Sequence, residues 1–397
     1  LFPEIRLGGS GYADTILTTG TIIVDKCVFT NNYSLGGGAI GNLGELLVTD
    51  CIFTNNKSSN RGGALDCSWE RVGSSIIRNS TFINNHTGNE GGAICINNEE
   101  SVIEGCTFIN NSADNREALR SGGAIYCSNV KSITSCTFTG NSAVYGGGIH
   151  INEAENTNIK SCIFKGNEAG IGGGVYSRDG NMNLYNCLFV ENIARDYGGA
   201  VSIANPDNQY AEISNCTIIN NSAANGKALS VSNILLTNCI IRDGTEAIWN
   251  WGASFMEVNY CNIQNGLASI HDFDEQLILM WGDGNIEADP LFADPDNYDY
   301  HLKSQAGRFD PNTQTWVQDD VTSPCIDAGD PNSPIGNEPF PNGGYINMGA
   351  YGGTSEASKS YFGEPLCETI VAGDINGDCK VDELDWEIML LHWLEEH

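Results

Sequence analysis

The stretch Cys162-Ile163-Phe164-Lys165-Gly166-Asn167-Glu168-Ala169, followed after two residues by Gly172-Gly173-Gly174-Val175, is one copy of a repeat. The pattern Cys-x-Phe-x-x-Asn-x-Ala, a short gap, then Gly-Gly-Ala/Gly-Ile/Val recurs between about residues 27 and 249. Its cysteine phase runs Cys27, Cys51, Ser80, Cys106, Cys136, Cys162, Cys187, Cys216, Cys239, Cys261, in steps of about 22 to 30 residues. That period is too short for a strand-helix-strand unit. Each step holds two compact β-like pieces between Asn-, Ser- and Gly-rich corners, with no helical period between them. Such a coil satisfies its backbone hydrogen bonds by pairing with the coils above and below, which is a parallel β-helix.

Stacking places like positions one strand spacing, about 4.8 Å, apart, so each repeat phase becomes a ladder. Cys106, Cys136, Cys162 and Cys187 are expected to point inward as small core residues, with Phe108, Phe138, Phe164 and Phe189 two positions on and on the same face. Asn111, Asn141, Asn167 and Asn192 fall three residues after each Phe, where the strand must turn and stacked amides can bond up the ladder. Paired glycines such as Gly146-Gly147 suit corners that need positive φ or close backbone approach. The all-β chain divides into a first coil at 1–26, repeats at 27–271, terminal coils and an irregular cap at 272–366, and a C-terminal module at 367–397. About ten coils at one strand spacing each give a rod roughly 50 Å long.

The 50 acidic residues outnumber the 19 basic ones to give a formal charge of −31, which argues against nucleic acid or an anionic membrane as partner. No apolar run is long enough to span a bilayer, and the opening Leu1-Phe2-Pro3 reads as a mature secreted chain. Most of the 15 cysteines share one repeat phase, a packing signature before a redox one.

The paired Gly-Gly-Ala-Ile and Phe-x-x-Asn motifs resemble the repeat region of polymorphic outer membrane proteins over a little more than half the chain. The resemblance implies a secreted, bacterial cell-surface protein, often an adhesin, although the chain carries no membrane β-barrel of that family's kind at its C-terminal end. With the usual crossover rule it also implies a right-handed coil. The segment around Asp289-Pro290-Leu291-Phe292 and Asn347-Met348-Gly349-Ala350 resembles the closing region of secreted bacterial β-helix proteins, which implies a cap over the stack.

Near the C-terminus, Asp374, Asn376, Asp378, Asp382 and Asp385 occupy loop positions 1, 3, 5, 9 and 12, and Lys380 offers its carbonyl at position 7. Hard oxygens at that spacing fit Ca²⁺. Cys379 replaces the glycine usual at position 6, and with Cys367 it brackets the loop as a candidate disulfide. The loop resembles one of the two loops of a type I dockerin, which implies a cohesin-like partner.

Catalytic patterns are sparse. No arginine is followed two residues later by proline, as the Arg-x-Pro-x-x-Arg segment of pectate-lyase-like enzymes requires, and Gln318-Asp319-Asp320 is a lone echo of polygalacturonase-like acids. The six histidines show no metal spacing and no common repeat phase, and Cys67, Cys95 and Cys127 read as a short second ladder. Trp249, Trp251, Tyr260 and Trp281 cluster late in the repeats beside Asp272, Asp274, Glu275 and Asp283, where aromatics could stack on sugar rings or simply cover frayed coils. The leading expectation is a non-catalytic structural or adhesive protein of the cell surface. It would assemble head-to-tail into a filament or bind a surface protein or polysaccharide, with Ca²⁺ rigidifying the terminal module. The alternatives are a polysaccharide lyase or glycosidase, or a carbohydrate-binding protein docked through its dockerin-like loop.

Overall fold

The computed structural model describes residues 4–5, 16–18, 20–42, 44–68, 73–98, 100–114, 121–153, 156–179, 182–204, 210–251 and 254–361, together with Val381 and Trp386. The repeat folds as a parallel β-helix whose fullest coils carry four short strands. In the coil of the quoted stretch these are Ile163–Lys165, Glu168–Ile171, Val175–Arg178 and Met182–Tyr185, and we number the four sheets 1 to 4 in that order. Sheets 1, 3 and 4 each run to eleven strands and sheet 2 to seven. Registry is kept by the Phe positions, where Phe29, Phe53, Phe82, Phe108, Phe138, Phe164 and Phe189 pair rung to rung. Their rings are fully buried and stack at 4.7–4.9 Å, nearly parallel. A one-residue slip would turn every Phe to solvent, so roughly 1.5–3 kcal/mol of burial per ring fixes the register.

Most described sheet 1 strands are bounded by left-handed residues. Ser161 (φ 51°) precedes Cys162, and Gly166 (φ 58°) precedes Asn167. Asn or Gly occupies the second of these places in most coils because both tolerate that conformation. The bends leave backbone donors without a strand partner, and the ladders supply acceptors. The Asn141 amide N–H and its Nδ2 both donate to Asn167 Oδ1 (3.0 and 2.9 Å), and Asn167 repeats the pattern on Asn192. All four amides from Asn111 to Asn192 are fully buried. On the other side, the Cys136 N–H donates to Cys162 Sγ at 3.4 Å, and the Cys162 thiol donates to Lys160 O at 3.2 Å. Cys106 and Cys187 sit in the same buried ladder, and Ser80 fills one rung by accepting the Cys51 N–H at 3.0 Å. All thirteen described cysteines are free thiols.

The glycine pair makes the turn from sheet 2 to sheet 3. Gly172 has φ +66°, and a Cβ on Gly173 would lie 2.2 Å from the carbonyl oxygen of Gly199 in the next coil. Cys67 and Cys127 face the core in one phase, through Ile96. Cys95 does not share it: in register with Asp66 and Tyr126, it faces the opposite side of sheet 3, so the second cysteine ladder is interrupted.

The stretch 272–366 divides in two. Leu277–Trp281 adds a last strand to sheet 4, and Ile286 bridges to Asn262. The chain then leaves the end of the stack and lies along the outer face of sheet 1. Phe292, Tyr300, Leu302, Cys325 and Met348 there cover Leu188, Val190, Ile219 and Ile240 in a second core. Corner asparagines hold it: Asn186 Nδ2 donates to Gly352 O (2.7 Å), Asn215 Nδ2 to Asn347 O (3.0 Å), and Asn238 Oδ1 accepts the Asp330 N–H (2.7 Å). The expected cap is thus a flank, seated on the outward Leu188, Val190, Ile219 and Ile240 of the late coils. No helix among the described residues is long and apolar enough to cross a membrane.

Candidate functional site

Alternate residues of a strand face opposite sides, so sheet 3 presents an outward row beside its core row. That row reads Asp66, Cys95, Tyr126, His150, Tyr176, Ser202, Ser230, Trp249, His271, one residue per coil. Tyr145, at the end of its sheet 2 strand, touches the rings of His150 and Tyr176 at 5.9 and 5.2 Å. Tyr197, at the end of the last sheet 2 strand, touches Trp251 at 4.4 Å. Outward side chains of consecutive sheets meet only across a concave corner. The corner at the paired glycines is therefore a groove along the rod, lined with rings.

The groove is closed at one end and open at the other. Asp66, Cys95, Tyr126 and His150 are buried. His150 Nδ1 accepts the Ser121 N–H at 3.1 Å, which puts the ring proton of the neutral imidazole on Nε2. The Cys95 thiol points to Glu90 Oε2 at 3.7 Å, and Glu90 is paired with Arg61 at 3.0 Å. Burial first, then the charges of Asp66 and Glu90, push the Cys95 thiol well above its ordinary range, so it is a protonated thiol and no nucleophile.

At the other end the coils shorten. Twelve residues separate Cys216 from Ala228, but only eight separate Cys239 from Ala247, and sheet 2 ends with Ile193–Tyr197. The missing arm leaves a step in the side of the rod, occupied by Tyr197, Trp249, Trp251, His271 and Phe273. Trp249 stacks on His271 at 4.0 Å and tilts against Phe273 at 5.6 Å, while Trp251 and Phe273 stand 6.3 Å apart. The Trp251 indole N–H donates to the buried Ser230 hydroxyl at 2.7 Å, which fixes the ring. Gly226 makes room, since a Cβ there would meet Trp249 Cβ at 2.9 Å. Trp251 and Phe273 remain 36% and 57% exposed. Large rigid aromatic faces of this kind offer apolar contact at small entropic cost.

Of the aromatics singled out from sequence, the structure brings Trp249 and Trp251 together and sends the others elsewhere. Trp281 packs against the main core and Tyr260 against the second one. Asp272 accepts the Leu277 N–H and the Asn250 amide, holding a turn. Two histidines do share a repeat phase, since His150 and His271 lie in the groove row, and His301 is buried in the flank. There, His301 Nδ1 lies 2.6 Å from Asp299 and its ring stacks on Tyr351 at 3.7 Å. Asp319, in the lone acid pair, binds Arg308 and the Ser304 N–H. Asp374, Asn376, Asp378, Lys380, Asp382, Asp385, Cys367 and Cys379 lie outside the described residues. Among the described residues no three His, Cys, Asp or Glu side chains gather as metal ligands. Tyr126, Tyr145, Tyr176, Tyr197 and Phe273 went unread in the sequence. For Tyr126 and Tyr176 the signal is the second position after the glycine turn, in phase with His150, Trp249 and His271.

Residues 8–189 match the family model described as right handed beta helix region, which sets the hand of the coil. No curated protein matches the chain. Residues 123–329 match the model described as disaggregatase related. With that match taking in the aromatic groove and more than half of the 397 residues, the chain belongs to the disaggregatase-related family.

Proposed function

We propose that this chain is an extracellular, non-catalytic β-helix that adheres to polysaccharide through the aromatic groove. The observation that carries the reading is the step at the end of sheet 2, where Trp251 and Phe273 stand exposed beside Tyr197 and Trp249. Their faces match the apolar C–H faces of sugar rings. The charge of −31 disfavours polyanionic chains, so the ligand class is a neutral or amine-bearing polysaccharide. Affinity electrophoresis against a panel of neutral, amine-bearing and acidic polysaccharides tests it. Trp251→Ala with Phe273→Ala should weaken binding at least tenfold while leaving the circular dichroism unchanged. Retention of full affinity in that variant removes the groove from the reading, and progressive product release would replace adhesion with cleavage.

A second reading, end-to-end assembly, is favoured by the last strand of sheet 4, where Ile278 and Met280 are 66% and 52% exposed and Leu277, Leu279 and Trp281 are only partly covered. Light scattering at increasing concentration tests it, and a strictly monomeric rod excludes it. We further propose that residues 374–385 hold one Ca²⁺ through the oxygens of Asp374, Asn376, Asp378, Asp382 and Asp385 and the Lys380 carbonyl, and dock a cohesin-like partner. The ligand spacing supports this. Asp374→Ala with Asp378→Ala should abolish Ca²⁺ uptake in equilibrium dialysis, and unchanged uptake rules the loop out.

A further inference from the structure

A second cavity lies on the opposite border of sheet 3, at the corner leading to sheet 4. Its volume is about 370 Å³, within the range of small-ligand sites. Three successive coils build it, from Gly73 and Ser74, then Asn97, Asn98 and Glu100, then Ser128 and Asn129. No aromatic or aliphatic side chain lines it among the described residues, so an apolar ligand has nothing to rest on. Its one charge is matched, because Glu100 Oε2 takes an ion pair from Lys131 at 3.1 Å. A net-neutral wall recognises neither an anion nor a cation.

What remains is hydrogen bonding. Asn98 serves the frame: its Nδ2 donates to Gly73 O, and its Oδ1 accepts the Glu100 N–H at 3.0 Å. Asn97 is only half used. Its Oδ1 accepts the Ser128 hydroxyl at 2.9 Å, which orients the amide and leaves both Nδ2 hydrogens without a partner among the described residues. The Ser74 hydroxyl likewise has no partner among the described residues. Oriented amide donors beside hydroxyls, in a neutral pocket, are the complement of a polyhydroxylated ring.

We propose that this pocket is a second saccharide site, selective for one or two neutral sugar residues held by hydrogen bonds. It is independent of the aromatic groove, whose open end lies about five coils, or roughly 24 Å, away along the rod. The test is titration calorimetry of the full chain with a panel of neutral mono- and disaccharides. One member at least should bind, Asn97→Leu with Ser74→Val should weaken it at least tenfold, and Trp251→Ala should leave it unchanged. Asn97→Asp, which keeps the acceptor for Ser128 and loses the two donors, gives the same loss should the bulkier variant fail to fold. No binding by any member, or binding indifferent to Asn97, overturns the pocket. Loss in Trp251→Ala instead assigns the signal to the groove.

Discussion

A buried amide ladder is costly to interrupt because each rung serves its neighbours. Asn167 accepts two donors from Asn141 and donates to Phe138 O and Asn192 Oδ1. Asn167→Ala strands the Asn141 N–H in the core, and each orphaned group costs about 1–3 kcal/mol. We expect a total loss of about 3–5 kcal/mol in urea unfolding, whereas the same change at exposed Asn312 should cost under about 0.5 kcal/mol. The ladder ends on a carboxylate: Asn221 donates its N–H to Asp243 Oδ1 at 2.7 Å and its Nδ2 to Oδ2 at 3.3 Å. Burial, only partly offset by those bonds, raises the Asp243 carboxyl from 3.8 to about 7. The folded chain therefore keeps a proton between about pH 4 and 7 that the unfolded chain releases. This contribution to stability is complete below about pH 4 and is lost as pH rises through 7. Asp243→Asn should flatten that slope in melts across pH 4–8 and stabilise the rod at pH 8 by up to about 4 kcal/mol, at roughly 1.4 kcal/mol per pKa unit. An unchanged slope would place the titration elsewhere, with Glu338 as the next group raised to about 7.

At the scale of the coil, what was legible in the sequence is whatever repeats in phase. The Phe, Cys and Asn ladders each rest on a local rule applied at nearly every rung, and the Gly-Gly turn on another. Gly173→Ala tests the turn, since its Cβ would stand 2.2 Å from Gly199 O and neither backbone can withdraw without breaking the Gly173 N–H bond to Gly198 O at 3.1 Å. A cost of about 3–4 kcal/mol is expected in denaturant melts, against about 1–2 kcal/mol for Gly166→Ala, where open space surrounds the Cβ and only the φ of 58° resists. The groove was illegible for a physical reason. Whether outward rows of adjacent sheets meet depends on the sign of the bend between them, which no residue type records. Trp249 and Trp251 were visible as a pair, but Tyr197 and Phe273 join them only because the shortened coils remove an arm of sheet 2. The flank was misplaced for a related reason: its apolar residues announce packing but not whether their partner is the end of the stack or its side.

Across the whole molecule, the solenoid turns a one-residue property into a line. From Tyr126 to His271 the groove row crosses seven strands of sheet 3, six spacings or about 29 Å. Tyr126 to Ser230 are buried along it, so a ligand meets only the last coils, where a short stretch of chain lying along the rod fits the rings from Tyr197 to Phe273. The core row beneath continues past Phe189 in unbroken register as Ile218, Ile241 and Ile263, which keeps the ring spacing constant, so little ordering cost falls on the protein when ligand binds. Affinity for the polysaccharide that binds should therefore rise with oligomer length while new rings are engaged. It should level off once the chain fills the open part, from Tyr197 to Phe273. Calorimetry with a size-graded oligosaccharide series checks this. The plateau should move to shorter oligomers in Trp249→Ala, which removes the middle of the platform. Affinity independent of length above a disaccharide would mean that the rings act as a single point of contact and that the long corner plays no part in recognition.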